Sequence, residues 1–326
     1  MLDSRNYLKI AVVDVRKSTR STTRLHTVNL RNAIELSGLI GADLYLTHAQ
    51  LLHGQSDYDV IILGFCNRSQ DLAGIQEFVN RNTHAALVVM CGEYEQGTQI
   101  IPYYTNRPFH VIRNYEGPLN VGPKRLIKGD YFLNINLLLA SQPNELAEKK
   151  YDCVYYGRWR QDRVDSYVKY IQGIHLSSSV KNLKMYYYAG CHPLKNIDNL
   201  DWDKGKETLN LFRYSLYIED NYTHTHYNCL ANRWYEAGFC NNVVFFDSDC
   251  MNTVRRSEIG AFSEQIKPYI VHNSEELHQK INECNKDFEH HLAVQKCWRT
   301  CEMFNKREMI EEFRRILTKI NNYAKE

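Results

Sequence analysis

Short, unbroken apolar runs rich in β-branched residues, each followed by a segment with helical spacing, constrain this chain most. Leu8 to Val15 (LKIAVVDV) is such a run. It ends in a polar loop and precedes a segment from Thr27 to Leu39 with apolar residues at helical intervals. Asp43 to Leu46, Val60 to Phe65 and Ala85 to Cys91 repeat the theme, and Leu72 to Asn82 supplies an intervening helix. A strand apolar along its whole length must be covered on both faces, so the pattern predicts a parallel sheet between helical layers.

The pattern lapses at Ser141 to Lys150 (SQPNELAEKK), which is polar and contains Pro143. A second α/β series follows: strands at Cys153 to Tyr156, Met185 to Tyr188, Ser215 to Ile218 and Val243 to Phe246, with helices at Val164 to Ile171 and Tyr227 to Ala237. Helices are expected at Glu275 to His291 and Glu308 to Tyr323, the latter with an apolar stripe. The expectation is therefore an α/β protein of two Rossmann-like domains, 1–148 and 149–326, facing a central cleft and closed by a C-terminal helix. A length of 326 residues suits two cores of ordinary size.

The composition, 24% charged and 44% hydrophobic, excludes a disordered or fibrous chain. A net charge of +2 leaves the question of a polyanionic partner to local clusters. These are Arg16, Lys17, Arg20 and Arg24, and Lys124, Arg125 and Lys128. The ten cysteines lack a CxxC pair, so neither a zinc site nor a disulfide framework is expected. No signal peptide or membrane span is read, so a cytoplasmic monomer is the default expectation.

Ligands of parallel α/β sheets gather at the carboxyl ends of the strands. There the segment Tyr155 to Arg163 (YYGRWRQDR) turns at Gly157 and brings Arg158, Trp159, Arg160 and Arg163 before a helix. Guanidiniums beside helix N–H groups form a phosphate site, although a surface loop paired with acids has the same spacing. Further on, Arg233 and Glu236 share a helix face, as a phosphate and hydroxyl ligand pair or as an intrahelical ion pair. His224 and His226 lack an evident third metal ligand, and Asp247 to Asp249 (DSD) reads as a capping turn in preference to a metal motif.

Together these segments resemble the T-even bacteriophage DNA β-glucosyltransferase family, of GT-B type. Val154 to Arg163 is similar to the family's strand, glycine turn, aromatic and two arginines, with one residue fewer between the arginines. Asn221, Tyr222, Arg233, Glu236 and Asp247 resemble its Asn-Tyr loop, Arg-x-x-Glu helix and following strand, with a longer loop. The likeness is fainter in the first half. It implies a UDP-sugar donor whose diphosphate is held by Arg160, Arg163 and Arg233, with Glu236 on the ribose and Gly157, Arg158, Trp159, Gly190 and Tyr222 completing the nucleotide-sugar site.

The resemblance further implies a catalytic base at Glu93, with Glu95 as the alternative, and inversion at the anomeric carbon. It implies duplex DNA carrying 5-hydroxymethylcytosine as acceptor, with base flipping. Arg16, Lys17, Arg20, Asn67, Arg68, Lys124 and Arg125 are the expected DNA contacts. His26 stands where the family has a glutamate beside the sugar, which leaves glucose as the default donor sugar and arabinose open. Mg2+ or Mn2+ as a helper of the leaving group has no ligand set in the sequence. The alternative function is a GT-B transferase with a lipid, protein or small-molecule acceptor.

Overall fold

The computed structural model describes residues 9–15, 42–54, 57–63, 72–91, 109–113, 125–128, 148–156, 164–172, 205–219, 230–299 and positions 315, 316, 319 and 322. The chain divides into two compact units, Met1–Ala140 with Glu302–Glu326, and Ser141–Cys301. The last segment thus groups with the first unit, whereas the sequence reading had put it in the second.

The first unit holds six strands: β1 (Ile10–Val13), β2 (Ala42–Tyr45), β3 (Val60–Leu63), β4 (Ala86–Cys91), β5 (His110–Arg113) and β6 (Arg125–Lys128). All pair in parallel in the order β2-β1-β3-β4-β5-β6. This is the second of the two common doubly wound orders, with its switch point between β1 and β3. Every residue of β1 and β3 is buried, as two-sided coverage demands. Helix α1 (His48–His53) was not expected; the side chain of its N-cap Thr47 accepts from the Gln50 N–H while Gln50 accepts from the Thr47 N–H. Helix α2 (Leu72–Arg81) buries Ile75, Phe78 and Val79 along one stripe.

The second unit is built on β7 (Tyr151–Val154), β8 (Phe212–Tyr217), β9 (Val243–Asp247) and β10 (Ile270–Val271). These are parallel in the order β10-β9-β8-β7. Strand β10 is too short to pair beyond Phe246 and Asp247 of β9. At Val244 a side chain takes over: the buried amide of Gln295 accepts the Val244 N–H and donates to the Val244 carbonyl, both at 2.8 Å. A side-chain amide thereby does at Val244 what a longer β10 would do.

Helices α3 (Val164–Tyr167, running into a π turn at Val168–Gln172), α4 (Gly205–Leu209) and α5 (Asn232–Phe239) come before β9, and α6 (Met251–Arg256), α7 (Ser263–Ile266), α8 (Ser274–Cys284) and α9 (Phe288–Trp298) after it. Two expectations are corrected. Helix α5 begins at Asn232 and not at Tyr227, because Ala231 at its N-cap is extended and Leu230 is outside the helix. The helix expected from Glu275 to His291 is two helices, broken by a 3-10 turn at Asn285–Asp287 where the Asp287 carboxylate caps the His290 N–H and restarts α9. The strand expected at Met185 to Tyr188 and the helix at Thr27 to Leu39 lie outside the described residues.

Candidate active site

The carboxyl ends of β7, β8 and β9 each deliver a polar group. Tyr155 and Tyr156 follow β7, Glu219 follows β8, and Asp247 ends β9. Arg233, in the first turn of α5, ties the first two together. Its Nη1 donates to the Tyr156 carbonyl at 2.9 Å and its Nη2 to the Glu219 carboxylate, with the guanidinium 5.9 Å from the Tyr155 ring centre. The ion pair is enclosed, the Arg233 side chain 11% exposed and that of Glu219 3%. Burial opposes the guanidinium charge, but Glu219 and nearby tyrosines more than offset it and the net shift is upward. Arg233 is a fixed cation at any accessible pH.

The sequence left open whether Arg233 pairs with Glu236 on its own helix. It pairs with Glu219, fourteen positions earlier in the chain. Glu236 is 7% exposed and accepts from the Tyr156 hydroxyl at 2.5 Å. Burial pushes its carboxyl above the ordinary range, while the Tyr156 hydrogen bond and Arg233 pull it partly back. Tyr156 thus binds both α5 side chains, one through its carbonyl and one through its hydroxyl.

Helix α5 is anchored at both ends. At its start the Tyr217 hydroxyl accepts the Ala231 N–H at 2.8 Å. Beyond its end Asn241 takes a left-handed conformation, φ 52°, and two cations cover the terminal carbonyls. Lys149 Nζ donates to Cys240 O at 2.6 Å; Arg299 donates to Gly238 O at 3.1 Å and Asn242 O at 2.6 Å. Cations suit the negative end of a helix dipole. Their burial lowers both, Lys149 to about 8 and Arg299 to about 9.

The DSD segment is a cap, as expected: the Asp247 side chain accepts from the Asp249 N–H in a 3-10 turn. Lys169 Nζ sits 2.6 Å from Asp247 and 3.5 Å from Asp249, and the Tyr170 hydroxyl is 2.7 Å from Asp247 and 2.6 Å from Val271 O. The Lys169 ammonium therefore faces both carboxylates. Among the described residues no three His, Cys, Asp or Glu side chains group as a metal site, and no helix is long and apolar enough to cross a membrane.

Of the site residues expected from the sequence, Arg233 and Glu236 are placed and brought together through Tyr156. Arg125 opens β6, the edge strand of the first sheet, so it belongs to a strand that sequence reading missed. Glu93, Glu95, Gly157, Arg158, Trp159, Arg160, Arg163, Gly190, Tyr222, His26, Arg16, Lys17, Arg20, Asn67, Arg68 and Lys124 lie outside the described residues. Several come next in the chain after a parallel strand: Arg16 after β1, Asn67 after β3, Glu93 after β4 and Gly157 after β7. Glu219, Tyr156, Lys149, Lys169 and Arg299 were not singled out from the sequence. Glu219 had a signal there, an acid just beyond an apolar strand.

No family model and no curated protein matches the chain by sequence. Solved structures do match along its length. An alpha-glucosyltransferase in complex with UDP and a 13-mer DNA containing an HMU base aligns with TM-score 0.64 and 9% identity over 96% of this chain and 100% of that one. The alpha-glucosyltransferase in complex with UDP gives 0.62 and 9% over 95% and 100%. The same enzyme type with UDP-glucose and DNA containing an abasic site gives 0.60 and 8% over 96% and 100%. These are α-transferases, whereas the sequence resemblance was to the β-enzyme, and likeness at this identity does not separate the two forms. What the chain shares with them is the fold, two parallel α/β sheets of the GT-B kind.

Proposed function

We propose that the chain is a glycosyltransferase that moves a sugar, glucose by default, from a UDP-sugar to the hydroxymethyl group of 5-hydroxymethylcytosine in duplex DNA. The observation that carries this reading is the full-length likeness to glucosyltransferases bound to UDP and DNA. The cluster at the carboxyl edge of the second sheet supports it. Glu236 gives one carboxylate oxygen to Tyr156, and in this reading its other oxygen accepts from ribose hydroxyls. Arg233 holds the ends of β7 and β8 together, and Arg160 and Arg163, which come after β7 in the chain, are the diphosphate ligands of this reading.

Chemically, Glu93 accepts the proton of the hydroxymethyl group as its oxygen bonds to the anomeric carbon. The bond from that carbon to the UDP oxygen breaks, and the charge left on the diphosphate is met by arginine. A positioned base contributes about 10²–10⁴-fold, and charge placed in advance on the leaving group is often worth more. The target base leaves the stack at a cost of about a few kcal/mol.

The test is incubation of UDP-glucose with hydroxymethylated and unmodified duplexes, followed by mass spectrometry of the nucleosides. A hexose added only to the hydroxymethylated base supports the reading, and transfer to neither duplex refutes it. The likeness does not separate α- from β-transferases, so the stereochemical course, inversion as implied by the sequence resemblance or retention as in an α-transferase, is read from the product. The anomeric proton coupling of the product distinguishes them by NMR.

A further inference from the structure

A wide groove opens on the second unit where β9 and β10 end. Ser248 and Asp249, which follow β9, and His272, which follows β10, form one side, and helices α6 and α8 the others. Its volume is about 1270 Å³, above the roughly 300–1,000 Å³ of small-molecule pockets. Four of its lining side chains are Arg255, Arg256, Lys267 and Lys280, against two acids, Asp249 and Glu276.

Both acids already have cations. Asp249 lies 3.5 Å from Lys169, and Glu276 is held by Lys280 at 3.2 Å and by His272 at 2.8 Å. Lys267 pairs with Glu264, but both side chains are largely exposed, so solvent screens that pair and it exchanges readily. The Arg255 side chain makes no ion pair or hydrogen bond among the described residues, and the Arg256 Nε donates to the Asn252 carbonyl at 3.3 Å from an exposed side chain that lines the groove. Arg255 and Arg256 are adjacent and exposed on the last turn of α6, so the groove carries a positive excess on its outer lip. It offers only Met251 and Ile270 as apolar lining, too little to hold a nucleobase.

We infer that this groove is a second, non-catalytic phosphate-backbone contact, in which Arg255 and Arg256 hold the duplex. The inference rests on the DNA-acceptor reading above. Its size and openness suit a polymer passing through, and its chemistry suits phosphate oxygens, which arginine binds by paired hydrogen bonds. The sequence reading placed every DNA contact before residue 126; this groove adds a cationic surface from the other unit.

The experiment is anisotropy titration of a labelled hydroxymethylated duplex across a salt series, comparing the full-length protein with Arg255→Gln/Arg256→Gln. UDP affinity is measured in parallel. Both residues are exposed, so an unchanged melting temperature is expected to confirm the variant folds. Each phosphate contact contributes about 0.9 to the slope of log affinity against log salt, so the slope should fall by about 2 with UDP affinity unchanged. Duplex binding by both proteins with the same slope overturns the inference and leaves the acceptor reading standing. Loss of UDP affinity in the variant assigns the groove to the donor and also overturns it. Failure of the wild-type protein to bind duplex at all overturns both.

Discussion

Replacing Arg233 with Met removes the ion-pair partner that the described residues give an enclosed carboxylate. In the native fold the Glu219 side chain is 3% exposed and its charge is met by Arg233. Water cannot replace the guanidinium at that exposure, and losing one member of a buried pair costs about 3–5 kcal/mol. The Tyr156 carbonyl also loses a 2.9 Å donor, which falls within that range. Arg233→Met/Glu219→Leu removes both charges, and apolar replacements of a buried pair are often neutral, leaving chiefly the carbonyl at about 1–3 kcal/mol. The double variant should therefore be more stable than the single by about 2 kcal/mol. Urea unfolding followed by tryptophan fluorescence isolates the relevant unit, because all four tryptophans (Trp159, Trp202, Trp234, Trp298) lie in it. A double variant less stable than Arg233→Met would refute the argument that the pair is held together by mutual need.

Gln295→Leu strands the Val244 N–H and carbonyl in a dry core, and should cost about 2–6 kcal/mol in the same urea assay, two buried groups at about 1–3 each. Lys149, lowered from 10.5 to about 8, binds a proton less readily folded than unfolded. Its contribution therefore rises between about pH 8 and 10.5, and Lys149→Met should flatten the wild-type trend in melting temperature over that window. Glu236 is shifted the other way: folded, it holds protons above its ordinary value of 4.5, so its contribution falls as pH rises through that region. Glu236→Gln should melt higher than wild type at neutral pH yet bind UDP more weakly, and a variant that melts lower and binds UDP equally would remove Glu236 from the site. Glu93→Gln should spare UDP binding and abolish transfer, read as loss of glycosylated product.

The strands were legible because continuous apolar runs such as VIIL at β3 and VVFFD at β9 have no other stable home than a two-sided sheet. β5 and β6 were missed because HVIR and RLIK are brief and end in cations, so neither reads as a buried run. The break between α8 and α9 escaped because helical spacing continues through it; only the capping geometry of Asp287 reveals it. At the site, chain spacing put Arg233 and Glu236 on one helix face. It could not say that a carboxylate from the end of β8 would take the arginine, since that pairing depends on how α5 packs against the end of that strand. Lys149 likewise looked like linker. Its amine is in fact built into the end of α5, and Lys150 pairs its N–H with the Leu211 carbonyl at 2.7 Å.

The account depends on an activated sugar's diphosphate binding at the carboxyl edge of the second sheet. Calorimetric titration of the full chain with UDP, alongside Arg160→Ala, tests this most directly. One saturable site per chain, with at least tenfold weaker binding in the variant (about 1.4 kcal/mol), is the predicted result. No heat of binding from UDP or UDP-sugars, or binding untouched by the loss of Arg160, would contradict it.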